Sequence, residues 1–181
     1  MATTAQVING RRLELVTGDI TTQRLDAIGN AADSGLRGGG GVDGAIHRAA
    51  GTGLLAELRE RYPDGTPSGT AVSTGAHRLP ARWVLHAVGP VWRGGGHGEA
   101  ELLAGAYRAC LRLCDQLGAT SLALPAISMG IYGYPADEAA RIAIRAASDH
   151  LRGETSLELV RFVLFSADTR AVFERALTEL A

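Results

Sequence analysis

The sequence is poor in several residue types, and each shortage excludes a class of protein. Only two of its 181 residues are cysteines, which excludes a disulfide framework. The net charge at pH 7 is −1, so the chain lacks the basic surface of a protein that binds nucleic acid in bulk. No apolar run is long enough to span a bilayer, and residues 1–15 lack the apolar region of a signal peptide. We therefore expect one domain over residues 1–181, monomeric and cytoplasmic.

The residue patterns of two common kinds of chemistry are also missing. Cys110 and Cys114 lie four residues apart on a predicted helix, where burial as small hydrophobic residues is expected instead of metal binding. Four histidines have no spacing that favours a zinc site: His77, His86, His97 and His150. No Walker-type lysine follows the glycine-bearing loops at 38–41 and 128–133, which argues against a nucleoside triphosphatase. We expect neither a metal nor a cofactor.

Glycine, in contrast, is abundant, and the most informative segment is the run from Gly38 to Gly41, which leads into a predicted helix start. Without side chains in the way, backbone N–H groups can close around an anion there, and the helix N-terminus adds partial positive charge. Asp43 follows at once, where a bound phosphate would be close. A flexible surface loop is the alternative, but the run adjoins a helix start and not a linker.

The same segment contains a G-x-G-x-x-G pattern at Gly39, Gly41 and Gly44. In a dinucleotide-binding fold this pattern follows the first strand directly. Here it follows the second predicted strand, after an intervening segment, which argues against a Rossmann dehydrogenase.

Short apolar runs alternate with longer helical patterns along the chain, which predicts an α/β layered fold. Six strands are predicted, at 13–16, 25–30, 70–75, 83–88, 122–127 and 159–165. Helices are predicted at 42–50, 54–61 and 99–117, from Pro135 as a first helical residue, and from 169 to the end.

A second glycine-bearing loop, Ser128 to Pro135, also lies between a buried strand and a helix N-terminus. Two such loops at strand ends indicate a diphosphate held from both sides. Tyr132 and Tyr134 are either aromatics at the core edge or partners of a ligand ring. A serine nucleophile is disfavoured, because Ala126 stands where the G-x-S-x-G pattern requires glycine.

Two further polar segments follow predicted strands. Asp19 is read either as a helix N-cap or as an acceptor for a ligand amine. Asn30 and Asp33 follow the second strand, where they either form a turn or face a ligand at the carboxyl edge of the sheet.

Together these segments resemble the macrodomain family, specifically the MacroD-type branch of ADP-ribosyl hydrolases. The matching segments are GDI at 18–20, NAAD at 30–33, GGGGVDGAIHRAAG at 38–51, HAVGPVWRGGGHGEAELLA at 86–104 and PAISMGIYGYP at 125–135. They occur in the family's order and span nearly the whole chain. The resemblance implies a three-layer α/β/α fold around a mixed, mostly parallel six-stranded sheet, with a cleft for ADP-ribose.

The resemblance also implies roles for individual residues. Asp19 would bind the adenine amine beside the backbone of Ile20, and Phe165 would stack on the adenine. The first loop would approach the distal ribose and the diphosphate through Gly39, Gly40, Gly41 and Val42. The second phosphate loop would consist of Ser128, Gly130, Ile131 and Tyr132, with Tyr132 over the distal ribose. Asn30 would lie near that ribose and orient the loop, and Asp43 would activate or position water.

Asp33 departs from the family pattern, whose hydrolases usually carry NAAN. The family asparagine contacts the distal ribose with a donor and an acceptor, whereas a carboxylate keeps only the acceptor. It also adds negative charge near the diphosphate and Asp43. We therefore expect weakened or altered catalysis at this site, and not loss of binding.

Three functions stay open at the level of sequence. The first is hydrolysis of the ester between ADP-ribose and a carboxylate, either a protein Asp or Glu side chain or the acetate of O-acetyl-ADP-ribose. The second is a module that binds ADP-ribose or ADP-ribosylated protein without chemistry, which Asp33 keeps open. The third is an RNA-binding or ADP-ribose-1″-phosphate-processing protein, and the acidic pI near 6.5 counts against RNA.

Overall fold

The computed structural model describes residues 3–181. Its strands are β1 Thr4–Ile8, β2 Arg11–Thr17, β3 Ala27–Ala31, β4 Ala71–Gly75, β5 Trp83–Ala87, β6 Ser121–Leu124 and β7 Leu159–Leu164. Its α-helices are α1 Gly41–Ala50, α2 Thr52–Arg61, α3 Glu99–Leu117, α4 Ala136–Arg152 and α5 Ala167–Leu180, and a short 3-10 helix spans Ile20–Thr22. Residues 1 and 2, which begin the segment considered for a signal peptide, lie outside the described range.

The strands form one sheet in the order β1-β2-β7-β6-β3-β5-β4. The five central strands are parallel, and the two edge strands, β1 and β4, are antiparallel to their neighbours. The predicted mixed, mostly parallel sheet is therefore confirmed.

The predicted number of six strands is wrong, because β1 adds a seventh. Within the described part of the chain, this edge strand pairs with β2 alone, and one of its side chains, Val7, is 68% exposed. A short edge strand with one neighbour and one solvent-exposed face lacks the continuous apolar character by which the inner strands are recognised. The missed signal was the turn: Asn9 and Gly10, with φ of 50° and 79°, make the Asn-Gly connection of a two-residue hairpin.

Helices cover both faces of the sheet, as the three-layer prediction requires. Side chains alternate between the faces along each strand. Leu15 and Phe162 pack on one face with α3, α4 and α5, and Ile28 and Val84 pack on the other with α1 and α2. Helix α3 has its predicted bounds, whereas Pro135 caps α4 and does not begin it.

The parallel strands all end at one edge of the sheet, and this edge carries the segments that the sequence singled out. The loop after β3 leads to α1 on one face, while the loop after the neighbouring β6 leads to α4 on the other. Neighbouring strands whose connections diverge in this way open a crevice at their carboxyl ends.

Both cysteines lie in the core, as predicted. Burial raises the pKa of the Cys110 thiol to about 12 and also raises that of Cys114, so neither forms a thiolate at neutral pH. Across residues 3–181, no three His, Cys, Asp or Glu side chains group as metal ligands. No helix of this same range has the length and apolar character to cross a membrane.

Candidate functional site

The first loop of the cleft is the glycine run, and its conformation needs glycine. Gly38 and Gly41 have φ of 82° and 57°, in the left-handed region that side chains disfavour. Gly40 precedes α1 without a side-chain cap. Within residues 3–181, the backbone N–H groups from Gly39 to Asp43 donate to no acceptor, so a row of donors at a helix N-terminus is available to an anion.

Tight packing between α1 and the glycine run fixes the shape of this loop. A Cβ atom on Gly44 would lie 2.4 Å from the carbonyl oxygen of Gly39. Only glycine at position 44 therefore lets the loop lie against the first turn of the helix.

The second loop, from Pro125 to Pro135, presents a matching row of donors. Within the described part of the chain, the N–H groups from Met129 to Tyr132 donate to no acceptor. Ser128 has φ of 65°, and its hydroxyl donates to the carbonyl of Pro90 at 2.8 Å. This bond turns the hydroxyl towards the protein, in line with the sequence argument against a nucleophile.

Residues outside the loop hold it from two sides. The buried Tyr107 hydroxyl donates to the Pro125 carbonyl at 3.1 Å and accepts from the Ile127 N–H at 2.8 Å. The backbone N–H of Trp92 donates to the Tyr132 carbonyl at 2.9 Å. Tyr134 packs on the Trp92 ring with 4.7 Å between centroids, so it is a core aromatic, whereas the partly exposed Tyr132 is free to meet a ligand.

Glu99, the first residue of α3, fixes the glycine-rich loop beside Trp92. Its carboxylate is 2% exposed and accepts the backbone N–H groups of Arg93, Gly95 and His97 at 3.0, 2.7 and 2.6 Å. Burial raises the pKa of Glu99, but these hydrogen bonds outweigh it and hold the pKa at about 2.

Glu99 is expected to make the protein sensitive to acid. Because its pKa falls from an ordinary value of 4.5 to about 2 on folding, it stabilises the fold above pH 4.5, and this contribution is lost as the pH falls from 4.5 towards 2. Urea unfolding at pH 6.5, 4 and 3 should therefore show a smaller acid loss of stability for Glu99→Gln than for the wild type. Parallel losses in the two proteins would contradict this role.

Asp43 is buried in the first turn of α1, and one of its oxygens is held in place. Oδ1 accepts from Asn30 Nδ2 at 2.8 Å and lies 3.3 Å from His47 Nε2, one helical turn away. Oδ2 faces the glycine run, since it lies 3.4 Å from the position that a Cβ on Gly39 would take. The carboxylate thus has one anchored oxygen and one oxygen directed at the loop with the free donors.

Asn30 belongs to a buried chain of contacts that the sequence did not reveal. Its Nδ2 lies 3.2 Å from His86 Nδ1, and His86 Nε2 lies 2.9 Å from Thr74 Oγ1. Burial, and then the neighbouring His47, lower the pKa of His86 to about 3, so this imidazole is neutral. The only sequence signal for these contacts was the place of His86 near the end of a predicted strand.

The opposite end of the cleft has polar and aromatic residues. Asp19 caps the 3-10 helix, and its side chain accepts from the N–H and the hydroxyl of Thr21 at 2.8 and 2.6 Å. This agrees with the interpretation of Asp19 as a helix N-cap. Ile20 is buried in the core behind it. Phe165 follows β7 directly and is 93% exposed, which leaves its ring available for stacking.

Asp33 lies outside the buried cluster around Asp43. It is exposed, accepts the Arg37 N–H at 3.4 Å, and borders an open cavity of about 620 Å³ between residues 33–37 and 64–67. The pKa of the Tyr132 hydroxyl is raised, first by its partial burial and then by the negative charges of Asp33 and Asp43. Asp33 is therefore an exposed residue whose negative charge reaches Tyr132.

Comparison with known proteins agrees with this arrangement. Residues 29–143 match the family model of the Macro domain. The chain is 49% identical over 170 residues to O-acetyl-ADP-ribose deacetylase of Salmonella gallinarum, an alignment that covers 93% of this chain and 95% of that protein.

Solved structures show the same fold. The Oceanobacillus iheyensis macrodomain with ADP superposes with a TM-score of 0.93 at 40% identity, covering 99% of this chain and 96% of that one. The Trypanosoma brucei macrodomain in complex with ADP-ribose gives a TM-score of 0.84 at 38% identity, covering 91% and 68%. On sequence and on fold alike, this chain belongs to the Macro domain family.

Proposed function

We propose that this chain binds ADP-ribose in the cleft and hydrolyses the ester between its distal ribose and a carboxylate. The observation that carries the proposal is the Asp43 carboxylate, with Oδ1 anchored and Oδ2 facing the glycine run. Relatives of this chain include proteins named O-acetyl-ADP-ribose deacetylase at about half identity, which supports the same reaction.

The two loops suit the diphosphate of ADP-ribose. Gly39 to Val42 and Met129 to Tyr132 offer backbone N–H groups without a protein acceptor, and a nearly neutral chain can hold two negative charges with such donors. Phe165 and Asp19 would then take the adenine, and Tyr132 would cover the distal ribose.

The proposed reaction is attack by water on the ester carbonyl. A bond forms between the water oxygen and the carbonyl carbon, the bond to the ribose oxygen breaks, and that oxygen takes a proton as ADP-ribose leaves with a free hydroxyl. Asp43 Oδ2 would orient the water and accept its proton, and because a carboxylate is a weak base, a substrate phosphate would share that task.

The test combines binding and turnover. Calorimetry with ADP-ribose should give saturable binding, and incubation with O-acetyl-ADP-ribose or a glutamate-ADP-ribosylated protein should release ADP-ribose. Binding without release from either substrate would favour the non-catalytic module, the second candidate that Asp33 keeps open. Absence of binding would overturn the proposal altogether.

Asp33→Asn is expected to raise turnover. Asparagine restores the donor that the family's hydrolases carry and removes a negative charge near the diphosphate, so we expect kcat to rise by about tenfold, the rate effect of roughly 1.4 kcal/mol. The fold should be unaffected, because the side chain is exposed and, among residues 3–181, its one hydrogen bond is with Arg37 in its own turn. Steady-state kinetics and calorimetry check this, and unchanged turnover together with unchanged affinity would show that Asp33 has no such role.

A further inference from the structure

We infer that His86 is a positioning residue for the proposed reaction: through Thr74 on one side and Asn30 on the other, it sets the orientation of the Asp43 carboxylate. The inference rests on the proposed function, and it adds His86 and Thr74, which the proposed reaction does not itself use. Four buried side chains form this chain of contacts: Thr74, His86, Asn30 and Asp43.

Thr74 determines which nitrogen of His86 carries the proton. The Thr74 hydroxyl lies 3.0 Å from the Gly75 carbonyl, which can only accept, and we assign its single proton to that bond. It can therefore only accept from His86 Nε2, which lies 2.9 Å away. His86 is fully buried and neutral, so with a proton on Nε2 its Nδ1 is a bare acceptor.

The bare Nδ1 in turn orients the amide of Asn30. Nδ2 of Asn30 lies 3.2 Å from this nitrogen and 2.8 Å from Asp43 Oδ1, and its two protons satisfy both acceptors. A flipped Asn30 amide would instead place its Oδ1 next to the lone pair of His86 Nδ1 and next to the Asp43 carboxylate. Both groups would repel that oxygen. The observed orientation leaves Asn30 Oδ1 buried and without a partner in the described chain.

Strand pairing explains why these groups meet. Asn30 and His86 are direct partners in the parallel pairing of β3 with β5, and β4 brings Thr74 to the same face. The chain of contacts therefore runs across three strands before it reaches Asp43 on α1. Such a rigid base fixes one oxygen of a carboxylate and leaves the other for water.

The direct test is the tautomer itself. Nitrogen-15 NMR of the histidine rings of the wild-type protein, with His86→Gln for assignment, should show His86 protonated at Nε2 and bare at Nδ1. A proton on Nδ1 would overturn the inference. This measurement does not depend on turnover, so it stands even if the chain proves to bind without hydrolysis.

A matched pair of variants tests the consequence for catalysis. Thr74→Val removes the acceptor while keeping the shape, and Thr74→Ser keeps it. With O-acetyl-ADP-ribose we expect Thr74→Val to lower kcat by about tenfold or more, part of the effect of a positioned base, with the Kd for ADP-ribose nearly unchanged. Thr74→Ser should retain wild-type kcat. A Thr74→Val protein with wild-type kcat, or with kcat and affinity lost together, would contradict the inference.

Discussion

Replacing Asp43 by asparagine is expected to slow the release of ADP-ribose from its acyl ester by about 10²- to 10⁴-fold, the usual contribution of a positioned general base. Asparagine keeps the shape of the side chain and an oxygen that can accept from Asn30 Nδ2, which now lies 2.8 Å from Asp43 Oδ1. The affinity for ADP-ribose should stay the same or increase, because a negative charge near the diphosphate is removed.

The matched control for Asp43→Asn is Asp137→Asn. Both aspartates lie in the first turn of a helix, so both interact favourably with the helix dipole, but Asp137 is exposed and pairs with Arg175. If Asp43 were merely a helix-start carboxylate, the two variants would behave alike. The rate of ADP-ribose release, measured by stopped-flow or steady-state kinetics, and the affinity, measured by calorimetry, distinguish the two cases. A release rate for Asp43→Asn near that of Asp137→Asn would contradict the role assigned to Asp43.

Gly44→Ala is expected to cause the largest loss of binding. The new Cβ would lie 2.4 Å from the Gly39 carbonyl oxygen, so the glycine run must move away from α1. Losing a hydrogen bond to a charged group such as the diphosphate costs about 1.5–3 kcal/mol, and overpacking of this kind destabilises a protein by about 1–3 kcal/mol. We therefore expect the Kd for ADP-ribose to rise by about 100-fold in a protein that still folds.

Gly105→Ala separates the loss of binding from the loss of stability. Its Cβ would meet the carbonyl of Gly69 at 2.8 Å, a comparable clash with backbone outside the two phosphate loops. Urea unfolding should show both variants destabilised, while calorimetry should show weakened ADP-ribose binding for Gly44→Ala alone. Equal affinities in the two variants would show that the glycine run does not hold the ligand.

The parts of the molecule that the sequence predicted well are those set by local chemistry. The bounds of α3 follow from its apolar spacing and its Gly118 stop, and the two anion-ready loops follow from glycines placed before helix starts. The edge strand β1 could not be predicted from its apolar pattern, because much of its surface is exposed to solvent. The turn at Asn9 and Gly10 is the local sequence feature that indicates it.

The contacts that orient the site could not be predicted, because they join residues far apart in the chain. His86 meets Asn30 across 56 positions, and Tyr107 holds the second loop from α3 by bonds to Pro125 and Ile127. Each of these residues alone is consistent with an ordinary core position. Only strand order and register show that they converge on the carboxyl edge of the sheet.

If this cleft hydrolyses an acyl ester of ADP-ribose with water, an oxygen isotope shows which bond breaks. O-acetyl-ADP-ribose is incubated with the wild-type protein in water enriched in oxygen-18, and the masses of the released acetate and ADP-ribose are measured by mass spectrometry. Because water attacks the carbonyl carbon, we expect one oxygen-18 atom in the released acetate. ADP-ribose should carry no more oxygen-18 than ADP-ribose kept in the same water without the protein, since its anomeric hydroxyl exchanges with water. Acetate without oxygen-18 together with ADP-ribose labelled above that control, or tight binding of the ester without any release, would contradict hydrolysis at the carbonyl carbon.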